Sequence, residues 1–258
     1  MELPTKEQIQ TFKKRIKNEP VWFVHNVLKR STWEKEIEVI EAVRDYAETS
    51  VRSCNGSGKT YTASLIVHWW LTSFEDSLVI TTAPTFRQVE ELLWREIRSS
   101  VVKGMYPPNV VLDTQINLGE RWFALGLSAD KPDQFQGFHS KRLLAIVDEA
   151  SGVTEEIFQA IDGLNPYRIL LLGNPMQNVG RFAESFKQEG VKKIHISAFD
   201  TPNIKQQTVV IPGLIQQKDI ERIKVKYGED SDVYRIRVLG EFPKVDADTL
   251  ISVDEVSK

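Results

Sequence analysis

One stretch of eight residues, Ser53-Cys54-Asn55-Gly56-Ser57-Gly58-Lys59-Thr60, constrains this chain more than any other. The short β-prone segment Ser50 to Cys54 leads into it, and the helical run Tyr61 to Leu71 leaves it. A strand that turns through glycines into a helix gathers backbone N–H groups and a helix N-terminus at one point, which suits a triphosphate. All eight residues are therefore candidate nucleotide-binding residues. Lys59 is expected to reach the β- and γ-phosphates of ATP, and Thr60 to offer its hydroxyl to Mg²⁺. The usual pattern, G-x-x-x-x-G-K-[ST], has a glycine where this chain has Ser53, so the first turn must form without glycine's freedom. A bare Gly-Lys-Thr arises by chance in roughly one chain in ten of this length, so the flanking strand and helix carry the reading. Cys54 is the only cysteine; it fits a position that needs a small side chain and excludes an intramolecular disulfide.

A second element, Leu143-Leu144-Ala145-Ile146-Val147-Asp148-Glu149, reads as a fully buried strand ending in two carboxylates. Beside a phosphate loop, Asp148 is the candidate Mg²⁺ ligand, acting through the ion's water shell. Glu149 is the candidate catalytic residue that orients the water attacking the γ-phosphate. A third strand, Arg168 to Leu172, ends in Gly173-Asn174-Pro175, which places an amide at the same sheet edge, where open α/β folds bind ligands. Asn174 suits γ-phosphate sensing; a plain turn is the other reading, since Asn, Pro and Gly all favour turns.

Around these motifs, short β-rich runs alternate with helical ones, the pattern of a parallel sheet with crossover helices. Expected strands are Ser50 to Cys54, Leu78 to Ala83, Trp122 to Leu125, Leu143 to Asp148, Ile169 to Gly173 and Lys193 to Ala198. Helices are expected over Thr5 to Asn18, Pro20 to Lys29, Trp33 to Glu48, Gly58 to Phe74, Phe86 to Val102, Glu155 to Asp162, Arg181 to Glu189, Ile215 to Tyr227 and Ser231 to Leu239. The expected organisation is a helical segment over 1–48, an α/β core over 49–200, a small helical subdomain over 201–244 and a polar tail over 245–258. The net charge of −3 argues against a protein that coats nucleic acid. No apolar run approaches the roughly 20 residues of a membrane helix, and Met1 to Asn18 lacks the apolar centre of a secretory signal. His25, His68, His139 and His195 are too scattered for a zinc site.

Phosphate loop, Asp-Glu strand and polar strand end, with an inserted strand, resemble the additional-strand catalytic-glutamate class of P-loop NTPases. Several other stretches narrow the resemblance. They are Thr81-Thr82-Ala83-Pro84-Thr85-Phe86-Arg87-Gln88-Val89, Leu93-Trp94-Arg95-Glu96-Ile97, Val51-Arg52, Trp69-Trp70, Gln136-Gly137-Phe138-His139 and Gly240-Glu241-Phe242-Pro243. Together they resemble the ATPase domain of tailed-bacteriophage terminase large subunits, over about residues 20 to 245.

The resemblance implies an α/β fold, with a mostly parallel central sheet flanked by helices and a small C-terminal helical subdomain. It implies ATP hydrolysis coupled to translocation of double-stranded DNA into a procapsid, with ATP and Mg²⁺ as cofactors. Arg52 resembles the arginine that opens the family's phosphate loop, and Gly173-Asn174-Pro175 the motif that couples hydrolysis to movement. Trp33-Glu34 sits where the family has an aromatic-Gln pair that recognises adenine; an ionised carboxylate only accepts hydrogen bonds, whereas the amide both donates and accepts. The family works as a homo-oligomeric ring on the portal, in the cytoplasm of the infected host. A small terminase subunit is a partner, and a nuclease domain follows the ATPase. Asp246, Asp248, Asp254 and Glu255 are on no recognisable strands and are not expected to be nuclease ligands. A neighbour's cation completes each site, and Arg142 is the candidate, with Lys141, Arg87 and Arg95 as alternatives. A helicase of another P-loop family, or a nucleotide-gated binding protein without turnover, are the competing readings. Glu149 separates the last of these, since a pure switch has no use for a catalytic carboxylate.

Overall fold

The computed structural model describes residues 5–244. The expected tail, with Asp246, Asp248, Asp254 and Glu255, lies outside them. Three helices come first: α1 (Lys6–Asn18), α2 (Pro20–Asn26) and α3 (Glu34–Asp45). A seven-stranded sheet then alternates with helices: β1 (Glu48–Ser53), α4 (Lys59–Ser73), β2 (Leu78–Ala83) and a π-helical turn (Gln88–Trp94) that runs into α5 (Arg95–Ser99). Next come β3 (Gln115–Gly119), β4 (Trp122–Ser128), β5 (Leu143–Val147), α6 (Glu155–Gly163), β6 (Arg168–Gly173), α7 (Arg181–Ser185) and β7 (Val191–Ile196). The chain closes with α8 (Pro202–Lys205), α9 (Gln217–Tyr227) and α10 (Asp232–Tyr234), the last continuing into a π-helical turn over Arg235–Leu239.

The strand order is β3-β4-β2-β5-β6-β1-β7, parallel throughout except for the antiparallel β3–β4 pair at one edge. Although β1 precedes β2 in sequence, two strands separate them in space, and β6 stands between β1 and β5. The register sets Val147 opposite Leu171, and Arg52 opposite Gly173. The ends of β5, β6 and β1 therefore open side by side, and the loops that follow all three share one sheet edge.

α4 lies under this edge. Every residue from Thr62 to Leu71 is buried, so the helix has no polar face and sits between the sheet and the N-terminal helices. Its two tryptophans need partners for their indole N–H groups. Trp69 donates to the Ile16 carbonyl at 2.9 Å and Trp70 to the Arg142 carbonyl at 2.9 Å. α1, α2 and α3 share this core with the sheet, through Ile16, Phe23, Val39 and Ile40. The opposite face packs on α6 and α7 through Ile157, Phe158, Ile161 and Phe182.

Several boundaries differ from the expected ones. β7 starts two residues earlier, at Val191, because its pairing with β1 sets the register. α2 stops at Asn26 and Lys29 takes a positive φ of 55°. α3 stops at Asp45 and leaves Glu48 for the sheet. β3 has no counterpart among the expected strands: Gln115-Ile116-Asn117-Leu118-Gly119 is a short strand of weak β-propensity, held by the β4 pairing and, on its other side, by a bridge between Ile116 and Val111.

His68, on α4, is wholly buried. Its Nε2 donates to the Ile97 carbonyl at 2.9 Å, and its Nδ1 accepts from the Tyr106 hydroxyl at 2.9 Å, a neutral imidazole serving both. Burial pushes its pKa down to about 4. A folded-state pKa below the unfolded value means that the stability contribution is present above about pH 6.5 and is lost as pH falls towards 4. Between pH 7 and 5 this group alone should remove about 2 kcal/mol of unfolding free energy. Denaturant titrations of wild type and His68→Gln should show a flatter pH slope in the variant; equal slopes would refute the assignment.

Candidate nucleotide-binding and hydrolysis site

After Ser53 the backbone turns through Gly56, with φ of 62°, and Gly58, with φ of 85°, before Lys59 opens α4. The absence of a first glycine has a structural reason. Ser53 is the last residue of β1, buried and paired with Ile196, so no left-handed conformation is needed there. Cys54 donates its N–H to the Ile196 carbonyl at 2.8 Å, and Asn55 to the Arg237 carbonyl at 2.9 Å. The Gly56 carbonyl accepts from Ile215 at 2.8 Å. Among the described residues no backbone carbonyl takes the N–H groups of Gly56, Ser57, Gly58, Lys59 or Thr60. The Ser57 hydroxyl is buried without a partner. These donors, with a helix N-terminus behind them, make a fitting cradle for an anion.

The three strand ends converge on this loop. Lys59 Nζ lies 3.1 Å from Glu149 Oε1 and 3.2 Å from Asn174 Oδ1. Asn174 Nδ2 donates to the Ser53 carbonyl at 2.6 Å, tying β6 to the loop. Thr60 Oγ1 donates to Asp148 Oδ2 at 2.9 Å, and the Glu149 N–H donates to Asp148 Oδ1 at 3.1 Å. Burial pushes the Asp148 carboxyl up to about 6, the neighbouring Glu149 adds to that, and Lys59 and Thr60 oppose it. Such a carboxylate next to a hydroxyl fits a divalent cation, which would supply the missing positive charge. Among the described residues no cluster of three or more His, Cys, Asp and Glu could hold a metal. Mg²⁺ needs none, since it takes one or two protein ligands and completes its shell with phosphates and water. Glu149 has φ of 49° and ψ of 44°, a left-handed conformation uncommon for a residue with a side chain, which turns the chain off β5. Gly173 lets that turn approach: a Cβ there would lie 3.1 Å from the Ala150 nitrogen. Pro175 is buried just beyond.

Other expected site residues are placed elsewhere. Arg52 is directed to the opposite sheet face, its guanidinium 5.7 Å from the Phe186 ring centre and 5.5 Å from that of Phe242. Arg142 precedes β5, at the far edge of the sheet, five strand residues or about 17 Å from the Glu149 end. Its guanidinium stands 4.3 Å from the Tyr167 ring and 5.0 Å from Phe74. Lys141 is exposed at that far edge, whereas Arg87, exposed and paired with Glu91 at 2.7 Å, follows β2 on the site's own edge; Arg95 is exposed at the start of α5. Trp33 is buried in the core, and Glu34 is exposed, 3.7 Å from Lys205. The acid that reaches the loop is Glu36, which the sequence reading missed. It is 4% exposed, and its Oε1 lies against Gly58 in the space a Cβ would need. The available signal was the spacing of Trp33 and Glu36, that of a helix N-terminus whose third residue reaches back to the N-cap; Glu36 Oε2 does accept the Trp33 N–H, at 3.1 Å.

No family model matches the chain. The probable terminase large subunit of Enterobacteria phage P7 is 29% identical over 246 residues, covering 89% of this chain and 49% of the relative. The chain thus spans about half the length of the curated relative it matches. The large terminase ATPase domain of Thermus phage P74-26 aligns with a TM-score of 0.59 at 15% identity, over 84% of this chain and 96% of that one. The fold is that of a large terminase ATPase domain. A second large terminase, from another thermophilic bacteriophage, aligns with a TM-score of 0.61 at 13% identity, over 83% of this chain and 54% of that one; its ADP complex gives 0.58 at 16%, over 81% and 53%. This terminase-like fold accounts for the strand order that brings Ser53, Asp148 and Asn174 together.

The terminase-like core holds its phosphate loop partly through Gly240. A Cβ there would lie 2.5 Å from the Ile196 carbonyl and 2.8 Å from the Cys54 nitrogen, and its φ is 67°. Gly240→Ala should therefore lower unfolding free energy by about 2 kcal/mol or more and weaken nucleotide binding in the same variant. Calorimetry on Gly240→Ala checks both; an unaltered loop affinity would show that the close approach does not shape the loop.

Proposed function

We propose that this chain is the ATPase motor domain of a phage terminase large subunit, hydrolysing ATP to drive double-stranded DNA into a procapsid. The observation that carries it is the meeting of Lys59, Glu149 and Asn174 within 3.2 Å at a loop of free N–H groups, with Thr60 and Asp148 paired alongside. The phosphates of ATP lie on the N–H groups of Gly56 to Thr60, and Lys59 meets the γ-phosphate. That phosphate replaces Glu149 as the partner of Lys59, which frees the Glu149 carboxylate to orient the attacking water and take its proton. Thr60 and Asp148 hold Mg²⁺, whose charge offsets that of the β- and γ-phosphates. Asn174 bonds both Lys59 and the β1 end, so loss of the γ-phosphate is felt at β6, and Gly173-Asn174-Pro175 is the route from hydrolysis to movement.

The wider partners belong to the same proposal: a homo-oligomeric ring on the portal, a small terminase subunit, and a nuclease domain that follows the ATPase in the whole protein. The setting is the cytoplasm of the infected host. No helix among the described residues is long and apolar enough to cross a membrane. In a ring a neighbour's cation completes each site. Arg142 is held between Tyr167 and Phe74 at the far edge of the sheet, whereas Arg87, paired with Glu91, stands exposed on the site's edge.

Three measurements test the proposal. Glu149→Gln should lower ATP turnover by about 10² or more while ATP binding persists; undiminished turnover would remove Glu149 from the chemistry and leave a nucleotide-gated binder or a different base. ATPase rate per subunit should rise with protein concentration and with added double-stranded DNA, and a flat specific activity would favour a self-sufficient ATPase. Mixing Glu149→Ala subunits with Arg142→Ala or Arg87→Ala subunits identifies the neighbour's cation, because only complementary defects restore activity.

A further inference from the structure

A cavity of about 440 Å³ adjoins the phosphate loop, between α3, the first turn of α4 and the segment from Ile211 to Leu214. Lys59 and Thr60 receive the phosphates, and Tyr61, the next residue, lines the cavity beside Gly58. A nucleoside attached to those phosphates has this concave surface next to it, with Ile211, Pro212 and Leu214 as an apolar wall. The cavity's size suits a purine nucleoside, and most of its lining suits the faces of a flat ring. Tyr61 is held in place by its hydroxyl, which donates to the Ser31 carbonyl at 3.1 Å. The polar group set deepest against the loop is the Glu36 carboxyl.

We infer that Glu36 is the base-reading residue of this site, meeting adenine with an O–H donor and a carboxyl acceptor side by side. The inference rests on the phosphate-loop reading proposed above. Three observations support it. Glu36 has no ion-pair partner among the described residues; Tyr61 from α4 and Glu96 from α5 line the same cavity, Arg30 from the segment before α3 acts on the Tyr61 hydroxyl together with Glu36 and Glu96, and Glu34 on α3 is turned outside to Lys205. Its Oε2 accepts the Trp33 N–H, which leaves Oε1, the oxygen at Gly58 and the cavity, as the one available to carry the proton of the uncharged form. Burial pushes its pKa up to about 8, against the opposing pull of Trp33, so near neutral pH the carboxyl is uncharged.

An uncharged carboxyl offers what a glutamine amide offers, one donor and one acceptor. Its O–H donates to adenine N1 while its other oxygen accepts from the N6 amino group. Ionisation removes the donor and leaves two acceptors, which lose the adenine N1 bond but match the N1–H and N2 amino donors of guanine. The site should therefore favour ATP below pH 8 and lose that preference above it.

Calorimetric affinities for Mg²⁺ complexes of ATP, GTP and inorganic tripolyphosphate, from pH 6.5 to 9, test this. In wild type, ATP affinity relative to tripolyphosphate should fall about tenfold between pH 7 and 9, and the ATP-to-GTP ratio should fall with it. Glu36→Gln should hold ATP affinity level over that range. Glu36→Leu should bind tripolyphosphate normally yet show no preference between ATP and GTP. The inference is overturned if ATP and tripolyphosphate share one pH profile in wild type, if Glu36→Gln falls as wild type does, or if Glu36→Leu keeps the ATP preference. Absence of tripolyphosphate binding to wild type would instead overturn the phosphate-loop reading, and this inference with it.

Discussion

The parallel pairing of β5, β6 and β1 is the constraint on which everything else depends. Each strand delivers polar groups to a single edge: Asp148 and Glu149 from β5, Asn174 from β6, and the glycine loop from β1. A one-residue slip in either pairing would turn each side chain to the other face of the sheet. The register is held in β5 and β6 by apolar residues buried on both faces, while β1 lies between β6 and β7 with Thr49, Ser50, Val51 and Ser53 buried. The polar ends then stand where the apolar run stops, and Lys59 bridges Glu149 and Asn174.

That arrangement also explains why α4 is buried along its length. A helix that starts at the loop must cross beneath the sheet to reach β2, two strands beyond its neighbour β6, and so it lies under the core rather than on the surface. The three N-terminal helices cover it, and α3 thereby brings Glu36 to Gly58. The covering helices are thus part of the site's wall as well as of the hydrophobic core.

Much of this was legible in the sequence, for local reasons. Leu143 to Val147 and Arg168 to Gly173 announce buried strands by their apolar runs, and the polar residues that end them stand at a predictable edge. The parts that were not legible depend on direction or on distant pairing. Arg52 and Ser53 are adjacent in sequence, but strand alternation sends the arginine to the Phe186 and Phe242 face. Glu34 and Glu36 differ by two helical positions, about 200° of rotation, so one meets Lys205 in solvent and the other meets the loop. Arg142 looked near the chemistry because it is six residues from Asp148, yet a strand carries those six residues from one edge of the sheet to the other.

The small C-terminal elements bind the phosphate loop from its outer side. Ile215 donates to the Gly56 carbonyl, Arg237 accepts from Asn55, and Gly240 packs on the backbone of Cys54. Cys54 itself belongs to the apolar cluster of Ile215, Ile220, Ile223, Tyr234 and Val238, with burial pushing its thiol up to about 12 and keeping it un-ionised. The phosphate loop is therefore a shared surface: the sheet supplies its start, α4 its end, and the C-terminal segment its outer hydrogen bonds. Any change in the loop must be accommodated by that segment, because backbone hydrogen bonds link the two and the cluster around Cys54 is buried. The same segment forms the apolar wall beside Glu36, so the loop, the adjoining cavity and the C-terminal elements are linked through one stretch of backbone.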